Sequence, residues 1–357
     1  MRIGVDVMGG DHAPDAILAG CLDALPLLTP EDVLVLVGDD QIIKEALCER
    51  GIKKDHAQIQ IEATTQVIAM HDSPVTALRS KPDSSIVRLA QLGGGRHSGN
   101  KRCDIIISAG NTGALVAAAQ MEMRRLPGVL RPGIVVSFPT MHGPLFICDV
   151  GANPDPKPSH LHQYAHMASV YARRLHKIDS PRVALLSIGG EESKGNLLVK
   201  ETAKLIKADP TLNYVGYTEG RDLFDGKADV LITEGFTGNV VLKLAEGLAS
   251  GLFRMIAHEI LLTDPELAMR FEPVAKSIYS KHDHHEYGGA PLLGANGIFL
   301  KCHGTAVART IKAAIRNSMQ FAKLQINQGI VEALAKSQLV RGTIQDQAAV
   351  SVQEGSA

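Results

Sequence analysis

Two stretches of the sequence repeat one order of residue types that is suited to binding an anion. SAGNTGAL at 108–115 and EGFTGNVV at 234–241 share the order Gly-x-Thr-Gly, and each follows a short apolar run. Small residues and cap oxygens after such a run predict a glycine turn that leads from a strand into a helix. The N–H groups and the positive dipole end at a helix start attract a phosphate or a developing oxyanion. The predicted contacts are Ser108, Gly110, Asn111, Thr112 and Gly113 in the first turn and Thr237, Gly238 and Asn239 in the second.

Two lysines lie where they can neutralise the charge of that anion. Lys194 belongs to a third turn of this kind, SIGGEESKGN at 187–196, and Lys243 follows Asn239 by one helical turn. None of the turns has the P-loop ending or the Gly-x-Gly-x-x-Gly fingerprint, so no nucleotide motif is predicted. One turn alone is better explained by ordinary helix capping, and it is the repetition that favours a phosphate site.

Acid–base residues cluster after the first predicted strand, in DVMGGDHAPDA at 6–16. Gly9 and Gly10 permit a close turn there, and the carboxylates together with His12 can orient a water, a metal ion or a phosphate proton. The alternative, that Asp11 only caps the helix beginning near 14, is equally favoured. We expect Asp6, Gly9 and Gly10 to contact substrate and Asp11 and His12 to act in catalysis.

Further polar residues are placed at strand and helix ends. His303 ends the last predicted strand and is a candidate for proton transfer, with a structural histidine as the equal alternative. Arg79, Lys81 and Ser84 surround the start of a helix and are predicted to grip phosphate or a phosphopantetheine arm, unless they form a solvated basic turn. Asn153, after another strand, completes the predicted substrate contacts.

No metal and no cofactor is predicted. His162 and His166 are spaced i, i+4 on a helix, but the Glu of His-Glu-x-x-His is absent, so helix packing explains them better. The run HDHHEY, with His282, His284 and His285, lacks ordered ligand spacing and is predicted to be a solvated loop.

Composition excludes several classes of protein. The 357 residues are 45% hydrophobic and carry a net charge of −1, without Trp and with 4% aromatics, so nucleic-acid binding is not expected. The five cysteines form no Cys-x-x-Cys pair, no signal peptide is recognised and no uncharged run is long enough to span a membrane. We expect a soluble protein of the reducing cytoplasm.

Strand and helix patterns alternate from residue 2 onward, which predicts an α/β fold with a three-layer, mostly parallel sheet. One domain is expected over 1–335, followed by a polar, disordered tail at 336–357. At about 240–280 the pattern predicts a protruding amphipathic helical hairpin that breaks at 263–265. Its tip presents apolar residues to a dimer partner, a lipid surface or both: Leu261, Leu262, Leu267, Met269 and Phe271.

The chain resembles the phosphate acyltransferase family of bacterial phospholipid synthesis. The residues that carry the resemblance run from 2 to about 314 and include DVMGGDHAP, ALRSKPDSSI, SAGNTGAL, RPGIVVSFP, DVGANPDPKP, EESKGN, EGFTGNVVLK and YGGAPLLG. The resemblance implies an isopropylmalate-dehydrogenase-like fold and a cytoplasmic homodimer that works against the membrane. It also implies transfer of a fatty acyl group from acyl carrier protein to inorganic phosphate, which supplies acyl phosphate to the membrane-bound glycerol-3-phosphate acyltransferase.

That chemistry agrees with the residues. Phosphate is already a nucleophile at neutral pH, so the site needs only to hold it beside the thioester carbon and to donate hydrogen bonds to the oxyanion. Three alternatives stay open: an acyl-CoA-dependent phosphotransacetylase, a nicotinamide-dependent dehydrogenase of the same fold, and a non-catalytic phosphate-binding scaffold. The basic loop at 93–102, with Arg124, Arg125 and Arg131, offers a positive rim to an acidic partner.

Overall fold

The computed structural model describes residues 1–52, 56–94, 101–282 and 288–337. Most of the basic loop, His284 and His285, and the tail from 338 onward therefore lie outside the described residues, and the predictions made for them stay predictions. Over residues 2–63, strands and helices alternate as the apolar pattern predicted.

The first 122 residues supply one half of the sheet and its helices. In chain order the described elements are β1 (Arg2–Asp6), α1 (Asp15–Ala24), β2 (Val33–Gly38), α2 (Asp40–Glu49), β3 (Ile59–Ala63), α3 (Pro74–Ser80), α4 (Ser85–Gly94), β4 (Ile105–Ser108) and α5 (Thr112–Glu122). The side chains of Asp39 and Asn111 accept N–H groups from the first turns of α2 and α5, and these caps explain where the two helices begin.

The remaining residues supply the other half and then return to the first. The elements are β5 (Gly133–Thr140), β6 (Gly143–Cys148), α6 (Pro158–His176), β7 (Arg182–Leu186), α7 (Leu197–Lys207), β8 (Asn213–Thr218), β9 (Val230–Ile232), α8 (Gly235–Thr263), α9 (Pro265–His282), β10 (Ala290–Leu293), β11 (Ile298–Lys301), α10 (Ala308–Lys323) and α11 (326–337).

The strands form one sheet of 11 strands in the order β3-β2-β1-β4-β11-β10-β5-β6-β9-β7-β8. All neighbours are parallel except at three places, where β10 pairs with β11, β10 pairs with β5, and β5 pairs with β6. Because three successive pairings are antiparallel, the strands β6 to β8 run opposite to β1 to β4 and β11. The prediction of a mostly parallel sheet is confirmed.

Helices cover both faces of this sheet, which confirms the three-layer prediction. In β4, Ile105 and Ile107 pack against α1, α2 and α10, whereas Ile106 between them packs against α4 and α5. Successive side chains of a strand point to opposite faces, so a run of three buried isoleucines requires helices on both sides. In the other half, α6, α7 and α11 cover one face, and α8 borders the other.

The two halves of the sheet are joined by a short seam at β10. Ala290 and Pro291 of this strand pair with β11, while Leu292 and Leu293 pair with β5. From Val135 onward, β5 pairs only with β6. The sheet therefore separates beyond the seam, between the start of β10 and the second half of β5.

The predicted hairpin is formed by α8 and α9, and the chain turns at Asp264. It begins earlier than the pattern indicated, because α8 already starts at Gly235. Leu261, Leu262, Leu267 and Met269 are exposed at the tip, whereas Phe271 is half-buried, so it presents less apolar surface there than the other four. The exposed apolar residues also continue along α8 at intervals of four, through Leu244, Leu248 and Leu252.

His162 and His166 are buried in helix packing, as their spacing suggested. The Nε2 atoms of both rings lie 2.9 Å from Oδ2 of Asp209, which also accepts a 2.6 Å hydrogen bond from Ser337 of α11. Burial alone would raise the pKa of Asp209, but these donors outweigh it and hold the pKa well below its usual range. The two rings and the carboxylate offer metal-ligand atoms within 4.8 Å of one another, yet hydrogen bonds already account for their orientation.

Gly238 sets how closely α8 approaches the end of β6. A Cβ added at this position would overlap the backbone carbonyl of Asp149, whereas one added at Gly247, farther along the same helix, would meet no heavy atom within 4 Å. We expect Gly238→Ala to lower the free energy of unfolding by about 1–3 kcal/mol, because overpacking must displace backbone.

Urea unfolding followed by circular dichroism measures this change. Gly247→Ala is the matched control and should be neutral or stabilising by up to about 1 kcal/mol, since Ala is the better helix former. Equal unfolding free energies for the two variants would contradict the close packing of α8 on β6.

Candidate active site

A cavity of about 590 Å³ lies where the sheet separates at the seam. Its volume falls within the range of about 300–1,000 Å³ that is typical of small-molecule pockets. The first half of the sheet contributes Asp11, Thr112 and His303 to its lining, and α8 contributes Asn239 and Lys243. The structure therefore brings together five residues that the sequence analysis selected from four separate segments.

Asp6 and Ser108 hold the two loops at the polar end of the cavity. Oδ2 of the buried Asp6 accepts a 2.6 Å hydrogen bond from Ser108 Oγ, which in turn accepts the N–H of Gly110 at 3.0 Å. Burial raises the pKa of Asp6, although hydrogen bonds to its carboxylate, from Ser108 above all, oppose the shift. Gly9 packs so closely on this carboxylate that a Cβ would not fit. These predicted contacts shape the loops rather than line the cavity.

The loops after β1 and β11 are joined by a backbone hydrogen bond. Asp11 N–H donates to the carbonyl of Gly304 at 2.7 Å. Gly10 has a φ of +114°, a conformation that favours glycine, and a Cβ there would lie 3.0 Å from the same carbonyl oxygen. This junction holds Asp11 and His303 at one side of the cavity.

The side chain of Asn111 is hydrogen-bonded to other groups of the protein. Its Oδ1 accepts the N–H of Ala114 at 3.1 Å and so caps α5, while its Nδ2 donates to the carbonyls of Ala69, Met70 and Asp72 at 3.0–3.3 Å. The side chain is therefore a loop anchor. The amides of Thr112 and Gly113, at the start of α5, have no acceptor within the helix and are the groups that remain for an anion.

The start of α8 differs from that of α5 in a way that corrects the sequence analysis. The carboxylate of Glu234 accepts the N–H groups of Phe236 and Thr237 at 2.6 and 2.8 Å, and also the Thr237 hydroxyl. Gly238 N–H donates to the Glu234 carbonyl at 2.9 Å. The amides of Thr237 and Gly238 are thus not available as oxyanion donors here. Asn239 does line the cavity, beside Gly151.

Asp149 organises the loop after β6 and was missed by the sequence analysis. Its carboxylate accepts backbone N–H groups from Ile134, Ala152 and Asn153 at 2.7–3.1 Å. Burial raises its pKa to about 6, although these hydrogen bonds oppose the shift. Asn153 is itself buried and donates to the carbonyl of Pro132 at 2.6 Å, so it supports the loop and is not part of the cavity lining.

Two residues at the end of β11 face the polar end of the cavity. Nδ1 of His303 accepts the N–H of Thr305 at 3.3 Å and lies 2.8 Å from its hydroxyl, an arrangement that leaves Nε2 as the protonated nitrogen of a neutral ring. Lys301, also missed from the sequence, lines the cavity and donates from Nζ to the carbonyl of Cys302.

Several predicted residues are not brought to the cavity lining. His12, Arg79 and Lys194 are exposed outside it. Lys81 forms an ion pair of 2.6 Å with Asp72 and donates to the carbonyl of Val67 at 2.9 Å, so it anchors the loop that Asn111 also holds. Ser84 is buried and accepts the N–H of Val87 at 3.4 Å, at the start of α4.

The other end of the cavity is mainly apolar. Ile134 and Val136 of β5 and Leu300 of β11 flank the gap in the sheet, and Tyr171 of α6 and Phe321 of α10 lie beyond it. His176 of α6 and Asn317 and Gln320 of α10 also contribute to this part of the lining. A ligand that fills the cavity would therefore place one end among charged groups and backbone amides, and the other mainly against hydrocarbon and aromatic surface.

Comparisons with known proteins agree with this architecture. A phosphotransacetylase from Streptococcus pyogenes superposes with a TM-score of 0.58 at 15% identity, covering 92% of this chain and 94% of that chain. The EutD phosphotransacetylase from Staphylococcus aureus covers the same shares with a TM-score of 0.55, also at 15% identity. At this identity the likeness concerns the fold alone, which is a three-layer α/β fold found among phosphotransacetylases.

The sequence comparisons define the family. A family model described as "Fatty acid synthesis protein" matches residues 1–329. A protein named phosphate acyltransferase from Desulfitobacterium hafniense is 43% identical over 342 residues, covering 94% of this chain and 97% of that protein. One of the same name from Dictyoglomus turgidum is 40% identical and covers 94% and 98%. The chain belongs to the phosphate acyltransferase family and is an acyltransferase.

Proposed function

We propose that the protein transfers a long-chain fatty acyl group from acyl carrier protein to inorganic phosphate, and so supplies acyl phosphate for phospholipid synthesis. The observation that carries the proposal is the cavity at the seam, because it joins a polar end to an apolar end through the gap in the sheet. The names of the relatives support phosphate as the acceptor. The carrier protein as donor rests on the resemblance of the whole chain.

Phosphate binds, in this proposal, at the start of α5. The amides of Thr112, which lines the cavity, and of Gly113, which follows it, hold its oxygens together with the helix dipole, and Lys243 offsets its charge from α8. The thioester carbonyl lies beside it, and Asn239 donates to the oxyanion that forms when phosphate attacks. Lys194 remains a further proposed cation, although it lies outside the cavity lining.

The acyl chain occupies the apolar end of the cavity. Burial against Val136, Leu300, Tyr171 and Phe321 supplies binding energy remote from the reacting carbon, which aligns the thioester with phosphate. Arg124, Arg125, Arg131 and the basic loop provide the positive surface for the acidic carrier protein. Asp11, His12 and His303 remain the candidates that the sequence analysis proposed for protonating the departing thiolate.

The donor is the first property to test. We expect phosphate-dependent thiol release from palmitoyl-acyl carrier protein, with acyl phosphate trapped by hydroxylamine as the hydroxamate. Palmitoyl-CoA assayed in parallel is the control and should react at least about 100-fold more slowly, if carrier-protein contacts contribute about 3 kcal/mol to the transition state.

Each other outcome has a defined meaning. Equal or faster turnover of palmitoyl-CoA would assign a phosphotransacetylase-like reaction. Turnover of neither thioester would favour the phosphate-binding scaffold, and oxidation of a hydroxy acid with a nicotinamide cofactor would favour the dehydrogenase alternative.

The contributions of Lys243 and Lys194 to phosphate binding can be tested separately. We expect Lys243→Met to raise the KM for phosphate about 10- to 100-fold, because an ionic hydrogen bond contributes about 1.5–3 kcal/mol. Lys194→Met, assayed under the same conditions, tests whether the second lysine contributes to phosphate binding. An unchanged KM would remove Lys194 from the site, and an unchanged KM in Lys243→Met would contradict phosphate binding beside α8.

The exposed surface of the hairpin supports two further proposals. Leu244, Leu248 and Leu252 form a stripe along α8 that is suited to pairing with the same helix of a second protomer, as a homodimer requires. Leu261 and Leu262 at the tip would contact lipid near the membrane-bound acyltransferase that consumes acyl phosphate. Among the described residues, none of the helices has the length and apolar character needed to cross a membrane.

Substitutions that add a single charge can distinguish dimer formation from lipid contact. We expect Leu248→Glu to convert the dimer to a monomer in multi-angle light scattering, because the stripe would bury the added carboxylate. Leu262→Glu should remain dimeric but fail to sediment with phosphatidylglycerol vesicles. Ala249→Glu adds the same charge at an exposed position of α8 outside the stripe and should change neither property. A dimeric Leu248→Glu variant, or vesicle binding by Leu262→Glu, would contradict the respective assignment.

A further inference from the structure

Lys301 is a cation of the cavity that the proposed binding groups leave without a role. It ends β11 and contributes to the cavity lining together with Asp11 and His303. One of the three hydrogens of its ammonium group is directed to the carbonyl of Cys302, its neighbour in the chain. Among the ion pairs of the described residues none includes Lys301. Within that part of the chain, no carboxylate lies within salt-bridge distance of the other two hydrogens.

We propose that Lys301 is the proton donor to the thiolate that leaves when phosphate attacks the thioester. The inference rests on the proposed acyl transfer. A phosphate oxygen forms a bond to the acyl carbon, the carbon–sulfur bond breaks, and its electron pair stays on sulfur. A proton then passes from Nζ of Lys301 to sulfur, giving the free thiol and a neutral amine. Water in the cavity returns a proton to the amine.

The surroundings of Lys301 suit a proton donor better than a permanent charge. Burial lowers its pKa to about 8. Cys302, Asp11 and Asp6 oppose the shift, and Lys243 on α8 acts in the same direction as burial. A donor transfers most effectively when its pKa is near the working pH and near that of the acceptor, and thiols have a pKa of about 8.5. Lys243, in contrast, is exposed to water at the rim.

Other titratable groups lie near the lysine. Glu246 of α8 lines the cavity, and the imidazole of His303 follows two residues later on the same segment. Burial raises the pKa of the adjacent Cys302 thiol to about 12, so that group stays protonated and does not exchange protons in the working range. Lys301 thus combines a position in the cavity with a proton that it can give up near neutral pH.

The leaving group provides the test. We expect Lys301→Met to lower kcat with the carrier-protein thioester about 100-fold, because a positioned general acid contributes at least that much. The loss should fall below about 10-fold with the acyl thioester of 4-nitrothiophenol, whose thiolate leaves without protonation. The ratio of the two rates within one preparation is independent of the folded fraction. Equal losses with both thioesters, or no loss, would overturn the proposal.

The pH dependence of kcat is a second test, and it requires only the carrier-protein thioester as acyl donor. Wild-type kcat should decline above a pH of about 8 as Lys301 loses its proton. Lys301→Arg keeps its charge at every accessible pH, so its lower kcat should show no decline near this value. If Lys301→Arg had the kcat and the pH profile of the wild type, Lys301 would not be the proton donor. Its positive charge alone would then explain its role. Lys312→Met, exposed on α10 outside the cavity, should match the wild type.

Failure of this proposal is distinct from failure of the proposed function. The comparison uses whichever thioester the wild-type protein converts with phosphate, so a change of donor does not affect it. Wild-type protein that converts no thioester would instead refute both, through the donor assay alone.

Discussion

Two residues of β10 pair with β5, and the rest of the molecule depends on this short antiparallel contact. It is the point at which two oppositely directed sets of strands become one sheet. A longer pairing would close the sheet and leave no passage between its faces. Because the contact ends after Leu292 and Leu293, the strands diverge and a cavity extends from polar loop ends to an apolar region between helices. In the proposed function, this backbone pattern is what joins the phosphate site to the acyl-chain site.

The two glycine turns differ in which amides the N-cap side chain accepts. Asn111 is the N-cap of α5, whereas Glu234 is the N-cap of α8. The Asn111 side chain accepts the N–H of Ala114 and leaves the amides of Thr112 and Gly113 to an incoming anion, but the Glu234 carboxylate already accepts those of Phe236 and Thr237. An internal carboxylate and an external phosphate would compete for the same positive end of the dipole. The proposed acceptor site is accordingly assigned to α5, with α8 supplying side chains.

Much of the fold was predictable because it follows from local pattern. The buried isoleucines of β4, the caps of α2 and α5 and the break near Asp264 are all properties of neighbouring residues. The site was predictable only in part, since sequence order does not reveal which atoms are already bonded. Asn111, Lys81 and Thr237 have the residue types of ligands, yet loop carbonyls or carboxylates occupy their polar groups. In the sequence, Lys301 is only the last residue of a strand. Its surroundings in the cavity come from loops that are distant along the chain.

In the proposed function the cavity holds a dianion next to a hydrocarbon chain. A buried carboxylate facing the phosphate would repel it in a region of low dielectric constant. Of the acids that line the cavity, Asp11 is exposed and Glu246 is half-buried. The fully buried acids beside it, Asp6 and Asp149, point into their own loops and accept backbone or hydroxyl hydrogen bonds. Their charge organises the glycine turns, and the turns present backbone amides whose dipoles are fixed before substrate binds. In the proposed reaction, preorganised dipoles need no reorientation as charge moves from phosphate to oxyanion to sulfur, which leaves one mobile proton as the remaining requirement.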